Sequence, residues 1–373
     1  MRVAARRWWL RLHRWLGLGL GLALALVAFT GASMIVLEPL DQRLHRELFV
    51  AATPAAPAAS LDAVRHAVVR RHGPQASITM RPPRTAGDTF RVRVGGPWHG
   101  TVYVDPSSAT ILGQRGEQEG VVNFLFELHS ALLLGKNGKP LLAAIALSCL
   151  LLLATGLVLW WPSNWRQAWR MRLDGGATRS LFDLHRGAGS LLGLVIAVSV
   201  ASGAYMAWKP LSRLVTTVSG DAPAQPPAVA PVPGAAASLQ AMAGTAQALF
   251  PQAGIGYIQL APQPSQPVRF RMKLPDDPHP NGLTSVWFHP VTGAVLAVQR
   301  WNELDAGTKA NSYIYPLHTG ELGGLAHEVL NAVSGFTLFG LGVTGTCLWW
   351  RRRRGRACAL AERPGSAWRR HPG

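Results

Sequence analysis

Residues 12–37 read LHRWLGLGLGLALALVAFTGASMIVL, a histidine followed by a stretch without any charged residue from Leu16 onward. Three further uncharged stretches follow, at Leu141–Trp161, Gly187–Trp208 and Val329–Trp350. Each approaches the ~20 apolar residues that a helix needs to cross a bilayer. The sequence therefore predicts a polytopic α-helical membrane protein with four transmembrane helices.

The composition agrees with a membrane protein. Of the 373 residues, 48% are hydrophobic and 15% are charged, against about 25% charged residues in soluble domains. The net charge of +18 does not indicate a nucleic-acid binder, because the arginines cluster at the ends of the apolar stretches. By the positive-inside rule the basic segments 2–14, 162–186 and 351–373 are cytoplasmic. The first stretch is long for a signal peptide, and we expect a retained anchor.

The two halves of the chain repeat the same residues at the same distances from their histidines. His13 and His185 open the first and third stretches, and glycine follows each at +4, +8 and +18; His129 and His318 precede the second and fourth, and a Thr-Gly pair follows each at +26 and +27. The sequence therefore predicts a tandem internal repeat. The residues concerned are Gly17, Gly21, Gly31, Gly189, Gly193, Gly203, Thr155-Gly156 and Thr344-Gly345.

Loops of about 100 and 120 residues, too long for ordinary connections, join the first helix to the second and the third to the fourth. Each has a Pro/Ala-rich linker, a helix beginning at a serine N-cap (Ser60, Ser238) and strand-like alternation. The predicted strands are Ala76–Met80, Phe90–Val94, Gly256–Leu260 and Val268–Leu274, and the predicted hairpins are Val102–Leu112 and Val286–Leu296. These patterns predict two periplasmic α+β domains.

The predicted domain boundaries follow from these elements. The first half comprises the N-terminus with helix one, a periplasmic domain and helix two; the second half repeats this order after a cytoplasmic loop and ends in a basic tail. The segments are 1–37, 38–120, 121–162, 163–183, 184–209, 210–314, 315–350 and 351–373.

Four histidines occupy equivalent places beside the predicted helices. His13 and His185 lie at the cytoplasmic ends, and His129 and His318 on the periplasmic side. Ionisable residues at membrane spans are candidates for function, and neutral imidazole binds zinc, copper, iron or haem iron. Structural zinc usually needs four protein ligands, and no repeated carboxylate or thiol completes such a set. Haem takes one axial ligand from each side, so the histidines favour haem.

The repeated glycines allow two interpretations. Gly17, Gly21, Gly189 and Gly193 follow their histidines at helical spacing, so they could leave room for a macrocycle, and Gly31 and Gly203 could do so near the periplasmic face. Alternatively, the glycines only allow close helix packing. Arg14 and Arg186 could pair with haem propionates, but they also satisfy the positive-inside rule. The sequence contains no C-x-x-C-H motif, which excludes covalent c-type haem.

Several motifs resemble the PepSY-associated transmembrane family, which includes iron-regulated membrane proteins and ferric-siderophore reductases of Gram-negative bacteria. They are Leu-His-Arg-Trp-Leu-Gly at 12–17, Leu-His-Ser at 128–130, Asp-Leu-His-Arg at 183–186, Tyr-Pro-Leu-His-Thr-Gly at 315–320 and the Thr-Gly…Trp-Trp helix ends. The two loop domains are similar to PepSY domains. Their Asp-Pro hairpin departs from the family pattern in the second copy, where His289 stands at the position that Asp105 has in the first copy.

The resemblance implies a di-haem b-type cytochrome of the bacterial inner membrane that passes electrons to a periplasmic ferric siderophore or other chelate. It implies His13 and His185 as ligands of the cytoplasmic-side haem iron, and His129 and His318 as ligands of the periplasmic-side haem iron. The chain has no Gly-rich nucleotide fingerprint after a strand, so the donor, a quinol or a cytoplasmic reductase, is separate. Candidate chelate contacts are Trp98, Arg91, Arg93, Arg269, Arg271, Trp301 and Tyr313.

Two other functions remain open from the sequence. PepSY-like domains also occur in protease propeptides, so a non-enzymatic signalling or protease-modulating protein is one alternative. It predicts no haem and no requirement for the four histidines. A transporter built from the repeat is the other, although the helices lack the charged midplane residues usual for ion coupling.

Overall fold

The computed structural model describes residues 3–53, 57–172 and 174–361, with side chains to residue 355. Arg2, residues 54–56 of the first predicted linker and the predicted basic tail beyond residue 361 lie outside the described residues. The chain divides into a helical unit, Met1–Phe29, Ala144–Ala201 and Val333–Gly373, and a sheet unit, Thr30–Ala143 and Ser202–Ala332.

The described residues form α-helices, antiparallel strands and short 3-10 turns. The helices are α1 Val3–Leu44, α2 Arg46–Phe49, α3 Leu61–His72, α4 Val121–Ala131, α5 Gly138–Trp160, α6 Trp165–Ala168, α7 Ala177–Ala207, α8 Lys209–Val218, α9 Leu239–Leu249, α10 Ala306–Thr319 and α11 Gly324–Ala361. The strands are β1 Ser77–Arg81, β2 Phe90–Gly95, β3 Gly100–Val104, β4 Ile111–Gly116, β5 Gly254–Leu260, β6 Val268–Lys273, β7 Thr284–Phe288 and β8 Val295–Gln299. The 3-10 turns are Gly135–Asn137, Trp301–Glu303 and Glu321–Gly323.

Four helices in the described part of the chain are long and apolar enough to cross a membrane, namely α1, α5, α7 and α11. Each contains most of one of the uncharged stretches, so the prediction of four transmembrane helices is confirmed. Helix α1 also extends in both directions beyond its apolar stretch, into residues that carry charges.

Small residues bring the helices of the helical unit into close contact. A Cβ atom on Gly342 of α11 would lie 2.8 Å from Cβ of Ala25 in α1 and 3.0 Å from the carbonyl oxygen of Gly21. Farther along the same pair of helices, the ring of Phe29 lies 5.1 Å from the ring of Phe339. Such contacts stabilise helix pairs in lipid, where the hydrophobic effect does not drive helices together and close van der Waals packing must do so.

The eight strands form one antiparallel sheet in the order β4-β3-β2-β1-β5-β6-β7-β8. Its middle pair joins the two halves of the chain, with Ile78 opposite Leu260, Thr79 opposite Gln259 and Met80 opposite Ile258. The sequence indicated two separate loop domains and gave no sign of this pairing. The predicted strands and hairpins themselves match the observed ones to within a few residues.

One face of the sheet carries the apolar core. Met80, Val92, Phe270 and Phe288 alternate inward along their strands and are fully buried, and α3 and α9 pack over them. Burying a side chain of this size stabilises the fold by about 1.5–3 kcal/mol. The opposite face of the sheet carries arginine and other polar side chains.

Helices α3 and α9 begin at the predicted serines and cap each other. The hydroxyls of Ser60 and Ser238 each accept a hydrogen bond from the backbone N–H three residues later. The carboxylate of Asp62 accepts from the N–H groups of Leu239 and Gln240 at 2.9 and 3.2 Å, and the Gln240 side chain accepts from the N–H of Leu61 at 3.1 Å. Each helix therefore satisfies N-terminal donors of the other.

Candidate functional site

The first histidine pair lies in the helical unit. His13 on α1 and His185 on α7 face each other with their ring centres 6.3 Å apart and their ring planes at 86°. Both rings are partly buried. The structure thus brings together two residues that are 172 positions apart in the sequence and were predicted to form a pair.

A threonine from a third helix holds each of these imidazoles. Thr155 Oγ1 on α5 lies 2.8 Å from Nδ1 of His13, and Thr344 Oγ1 on α11 lies 2.9 Å from Nδ1 of His185. The Thr155 hydroxyl donates to the carbonyl of Leu152, and the Thr344 hydroxyl donates to the carbonyl of Gly340, both at 2.7 Å.

These bonds fix which ring nitrogen carries the proton. A hydroxyl has one proton to donate, and both threonines give theirs to a backbone carbonyl. Their oxygens therefore accept from a protonated Nδ1, which leaves Nε2 of the neutral ring with a free lone pair. A hydrogen bond at one ring nitrogen orients the imidazole and strengthens the other nitrogen as a metal ligand.

The glycine after each threonine gives the ring its space. A Cβ atom on Gly156 would lie 3.3 Å from Cε1 of His13, and one on Gly345 would lie 3.4 Å from Cε1 of His185. A methyl group at either position would contact the ring closely, and at Gly156 the ring would have to shift by a few tenths of an ångström. The two residues of each Thr-Gly pair thus act on the same ring: the hydroxyl orients the imidazole, and the glycine leaves space for it.

The second histidine pair lies in the sheet unit. His129 is near the end of α4 and His318 near the end of α10, with ring centres 6.0 Å apart and planes at 30°. Ser202 Oγ lies 3.1 Å from Nδ1 of His318. The amide of Asn331 donates to the carbonyls of Leu317 and His318, which anchors the end of α10.

Glycines also admit the rings of the second pair. A Cβ atom on Gly31 would lie 2.6 Å from Cε1 of His129, and one on Gly203 would lie 2.8 Å from Cε1 of His318. The imidazoles occupy the space directly beside these two glycines, so the contact of each glycine with a histidine ring is the role that this geometry gives it. Residue 30, before Gly31, is a buried threonine, just as Ser202 stands before Gly203.

The earlier glycines divide into two kinds. Gly17 and Gly189 pack against the side chains of Leu152 and Leu341, at 3.8 and 3.6 Å from an added Cβ, as close helix packing requires. A Cβ atom on Gly21 or Gly193 would meet nothing within 4 Å. Gly21 is nevertheless buried, so its missing side chain leaves an interior gap.

The spacing of both pairs suits a metal between two imidazoles. Imidazole nitrogens bind metals at about 2.0–2.1 Å, which places the centres of two opposed rings about 6.4 Å apart. The observed separations are 6.3 and 6.0 Å. Across the described residues no group of three or more His, Cys, Asp and Glu could hold a metal ion, so each pair offers two protein ligands. The donor set fits a haem group, which takes its other four ligands from the macrocycle.

A comparison with known families identifies the family of the chain. The sequence model of the PepSY-associated TM region matches residues 10–352. The chain belongs to this family. No curated protein matches the chain. All four histidines, the two Thr-Gly pairs and the glycines that admit the rings lie inside the region that the family model matches.

The hairpin that departs from the family pattern has a structural role in both copies. The buried Asp105 carboxylate accepts from the N–H of Ser107 and Ser108 in its own turn and from the N–H of Ala52 in the preceding linker. His289 accepts at Nδ1 from the N–H groups of Val291 and Thr292 and bonds the carbonyl of Ala230 through Nε2. Aspartate and histidine thus perform the same turn-capping and linker-binding function.

Hydrogen bonds keep the Asp105 carboxylate ionised. Burial alone would raise its pKa, but bonds from the Ser107 side chain and from the N–H groups of Ala52, Ser108 and Ser107 lower that pKa well below the ordinary value. Both oxygens of this carboxylate already accept hydrogen bonds from the turn and the linker. We therefore place no ligand at this hairpin.

Most of the predicted chelate contacts are engaged within the fold. Trp98 stacks on His72, Trp301 is buried, and Arg93 pairs with Glu117 at 3.3 Å. Arg269 donates to Ser285 and lies over the ring of Trp287, and Arg271 donates to the carbonyl of Gly282. Tyr313 is half exposed, and Arg91 lines an open cavity.

The function of the hydroxyl-glycine pairs was not predicted from the sequence. The repeated Thr-Gly at +26 and +27 indicated the repeat but no role for the hydroxyls. The available signal was that four of the eight Thr-Gly and Ser-Gly pairs in the chain recur at equivalent offsets in the two halves, 30–31 with 202–203 and 155–156 with 344–345. Which pair serves which histidine depends on helix packing, so spacing along the chain cannot show it.

Proposed function

We propose that the chain is a di-haem b-type oxidoreductase of the bacterial inner membrane, which passes electrons across the membrane to a periplasmic ferric chelate and so supports iron uptake. The observation that carries the proposal is the pairing of His13 with His185 and of His129 with His318, at ring separations of 6.3 and 6.0 Å.

His13 and His185 would hold one haem iron, and His129 and His318 the other. Bound haem supplies one-electron transfer at a potential set by its axial ligands and by hydrogen bonds to them. Thr155 and Thr344 orient the first two imidazoles, with Nε2 of the neutral ring free to bind. Gly21 and Gly193 leave space on the helices that carry these histidines.

The substrate under this proposal is Fe(III) in an oxygen-rich chelate. One electron, taken from a quinol or a cytoplasmic reductase, converts it to Fe(II), which hard oxygen ligands hold less tightly. No nucleophile or general base is needed. The proposal also includes cytoplasmic termini, a periplasmic sheet unit and an origin of the two halves as copies of one helix–domain–helix unit.

The matching elements of the two halves support their origin as copies of one unit. Each half contributes four strands to the sheet in mirrored order, and each contributes a helix whose first residues are capped by the other. The topology is testable with reporter fusions after residue 361 and within the linker 222–237. A periplasmic signal from the first fusion would contradict the proposed orientation.

The first test is a reduced-minus-oxidised visible spectrum of the detergent-purified chain, with a pyridine haemochrome assay of stoichiometry. We expect a b-type α-band and two haems per chain. The double variants His13→Ala/His185→Ala and His129→Ala/His318→Ala should each retain one haem. His327→Ala is the control, because it belongs to neither pair.

A colourless protein from haem-replete cells would overturn the proposal and favour a signalling or transport function. So would unchanged haem content in both double variants. If haem is present, the His129→Ala/His318→Ala variant should lose reduction of a periplasmic ferric chelate in membrane vesicles. Intact reduction in that variant would contradict the proposed electron path.

A further inference from the structure

Three arginines in the first half of the sheet unit form a cluster that the proposed haem sites do not use. Arg81 on β1 and Arg91 on β2 alternate with the buried Met80 and Val92, so they lie on the sheet face opposite the apolar core. Arg84 follows β1 in the connection to β2. We refer to Arg81, Arg84 and Arg91 as the arginine cluster.

The cluster places like charges against each other. Arg81 and Arg91 are directly opposed in the antiparallel pair of β1 and β2, an arrangement that is destabilising for two cations. Burial lowers the pKa of Arg91, and the charge of Arg81 lowers that pKa further. A chain that keeps this pair needs a negative group to offset the repulsion.

The described residues supply little negative charge to the cluster. Arg91 pairs with Glu38 at 3.9 Å, and the charges of Asp88 and Glu321 also act on Arg91 and Arg84, but neither Arg81 nor Arg84 makes an ion pair with a described residue. The Arg84 guanidinium donates to the neutral side chain of Asn281. Asp88 lies nearby, but its carboxylate already accepts from the N–H groups of Arg84 and Thr85.

The three arginines line an open cavity of about 20 Å³, together with Pro82, Asp88 and Thr89. This volume is slightly more than one water molecule occupies. It admits one terminal oxygen of a carboxylate or phosphate, while the rest of the ligand would remain outside. Guanidinium groups bind such oxyanions through two parallel hydrogen bonds.

The second half of the sheet shows the contrasting arrangement. Arg269 and Arg271 stand on β6, where Arg91 and Arg93 stand on β2. Arg269 donates to the hydroxyl of Ser285 at 2.9 Å and lies 4.8 Å from the ring of Trp287, and Arg271 donates to the carbonyl of Gly282. There the fold itself satisfies the guanidinium groups. In the arginine cluster Arg91 lies 4.9 Å from the ring of Phe49 and 3.9 Å from Glu38, and Arg84 donates to Asn281, but all three arginines also line the open cavity.

We propose that the arginine cluster binds one oxyanion group, a carboxylate or a phosphate, of a small anionic ligand. This inference rests on the arginines alone and does not require haem. If the proposed function holds, the ligand is an acidic group of the ferric chelate, and the cluster is where that chelate docks on the sheet.

The test measures citrate and inorganic phosphate binding to the full chain in detergent, by calorimetry and by thermal unfolding at constant ionic strength. Arg81→Gln and Arg91→Gln should each weaken binding about tenfold or more, which corresponds to 1.4 kcal/mol. Arg93→Gln is the matched control, because Arg93 is on the same strand and face but is exposed and pairs with Glu117. Arg81→Lys, which keeps the positive charge but not the paired donors of the guanidinium, should give an intermediate loss of affinity.

Nanodiscs with and without phosphatidylglycerol distinguish a lipid phosphate from a soluble ligand. If the cluster takes a lipid headgroup, anionic nanodiscs should abolish citrate binding to the wild type, and the site itself stands. Equal affinities in Arg81→Gln, Arg91→Gln and Arg93→Gln, or no binding of citrate, phosphate or anionic lipid, would overturn the proposal. Haem content measured on the same samples shows separately whether the proposed function fails.

Discussion

The Thr155 hydroxyl lies 2.8 Å from Nδ1 of His13, and the Thr344 hydroxyl stands in the same relation to His185 at 2.9 Å. Each threonine also donates its proton to its own helix backbone. The two bonds together determine the tautomer of each histidine. Nε2 of each neutral ring can therefore act as a ligand without first losing a proton.

Replacing Thr155 by valine removes the acceptor for Nδ1 but preserves the volume of the side chain. If His13 and His185 hold a haem as proposed, we expect a shifted midpoint potential for that haem and about 10–100-fold weaker haem binding, the usual effect of losing a hydrogen-bond partner of a ligand. Potentiometric titration followed at the α-band measures the potential, and apo-protein titration with hemin measures affinity.

Thr155→Ser should restore both quantities, because serine keeps the hydroxyl. Thr346→Val on α11 is the control, since Thr346 is exposed and bonds only the carbonyl of Gly342. The role assigned to Thr155 would be wrong if Thr155→Val and Thr346→Val had the same potential.

The gap at Gly21 provides a test of where the macrocycle lies. A Cβ atom there meets nothing within 4 Å, so Gly21→Leu should fold and should even gain about 0.5–1 kcal/mol of helix propensity. We expect the variant to lose one haem per chain without losing thermal stability of the apo-protein. Pyridine haemochrome stoichiometry and differential scanning fluorimetry measure the two effects.

Gly19→Leu is the matched control, because Gly19 is on the same helix, has no neighbour within 4 Å and is exposed. It should retain two haems. Full haem content in Gly21→Leu would show that the macrocycle does not use this gap.

The glycines beside the second pair should be intolerant of a methyl group. In Gly31→Ala the new Cβ would lie 2.6 Å from Cε1 of His129, a contact that forces the ring to move. We expect this variant, and Gly203→Ala for His318, to lose the haem of the second pair and keep that of the first. Low-temperature spectra that resolve the two α-bands distinguish this result from general unfolding, which would remove both.

His279 makes the stability of the sheet unit depend on pH. Burial and the charges of Arg271, Lys273 and Arg84 lower its pKa to about 3, against about 6.5 in an unfolded chain. Between these values the unfolded chain binds a proton that the folded chain does not. Stability is therefore complete above pH 6.5 and falls as pH drops toward 3, by at most about 1.4 kcal/mol per pH unit.

In His279→Gln this part of the pH dependence should disappear, and glutamine can still accept the N–H of Asn281 that Nδ1 accepts in the wild type. Thermal unfolding of the full chain from pH 7.5 to 4.5 measures the slope. His66→Gln, at an exposed position on α3, should leave the slope unchanged. A wild-type slope in His279→Gln would refute the assignment.

Local features of the structure could be predicted from the sequence because they depend on neighbouring residues. An uncharged stretch such as Leu16–Leu37 must lie in lipid as a helix, since each backbone group then finds a partner in its own segment. Ser60 and Ser238 mark helix starts for the same local reason. Equal offsets from His13 and His185 indicated which histidines share a side, and the structure brings those two together.

Only the tertiary structure decided how distant segments meet. The pairing of β1 with β5 uses main-chain groups that every residue has, so nothing in either strand specified it. The mutual capping of α3 and α9, the convergence of Arg81, Arg84 and Arg91, and the match of Gly31 with His129 depend on the relative placement of segments far apart in sequence. Side-chain chemistry fixed which groups needed partners, and the packing of helices and strands selected the partners.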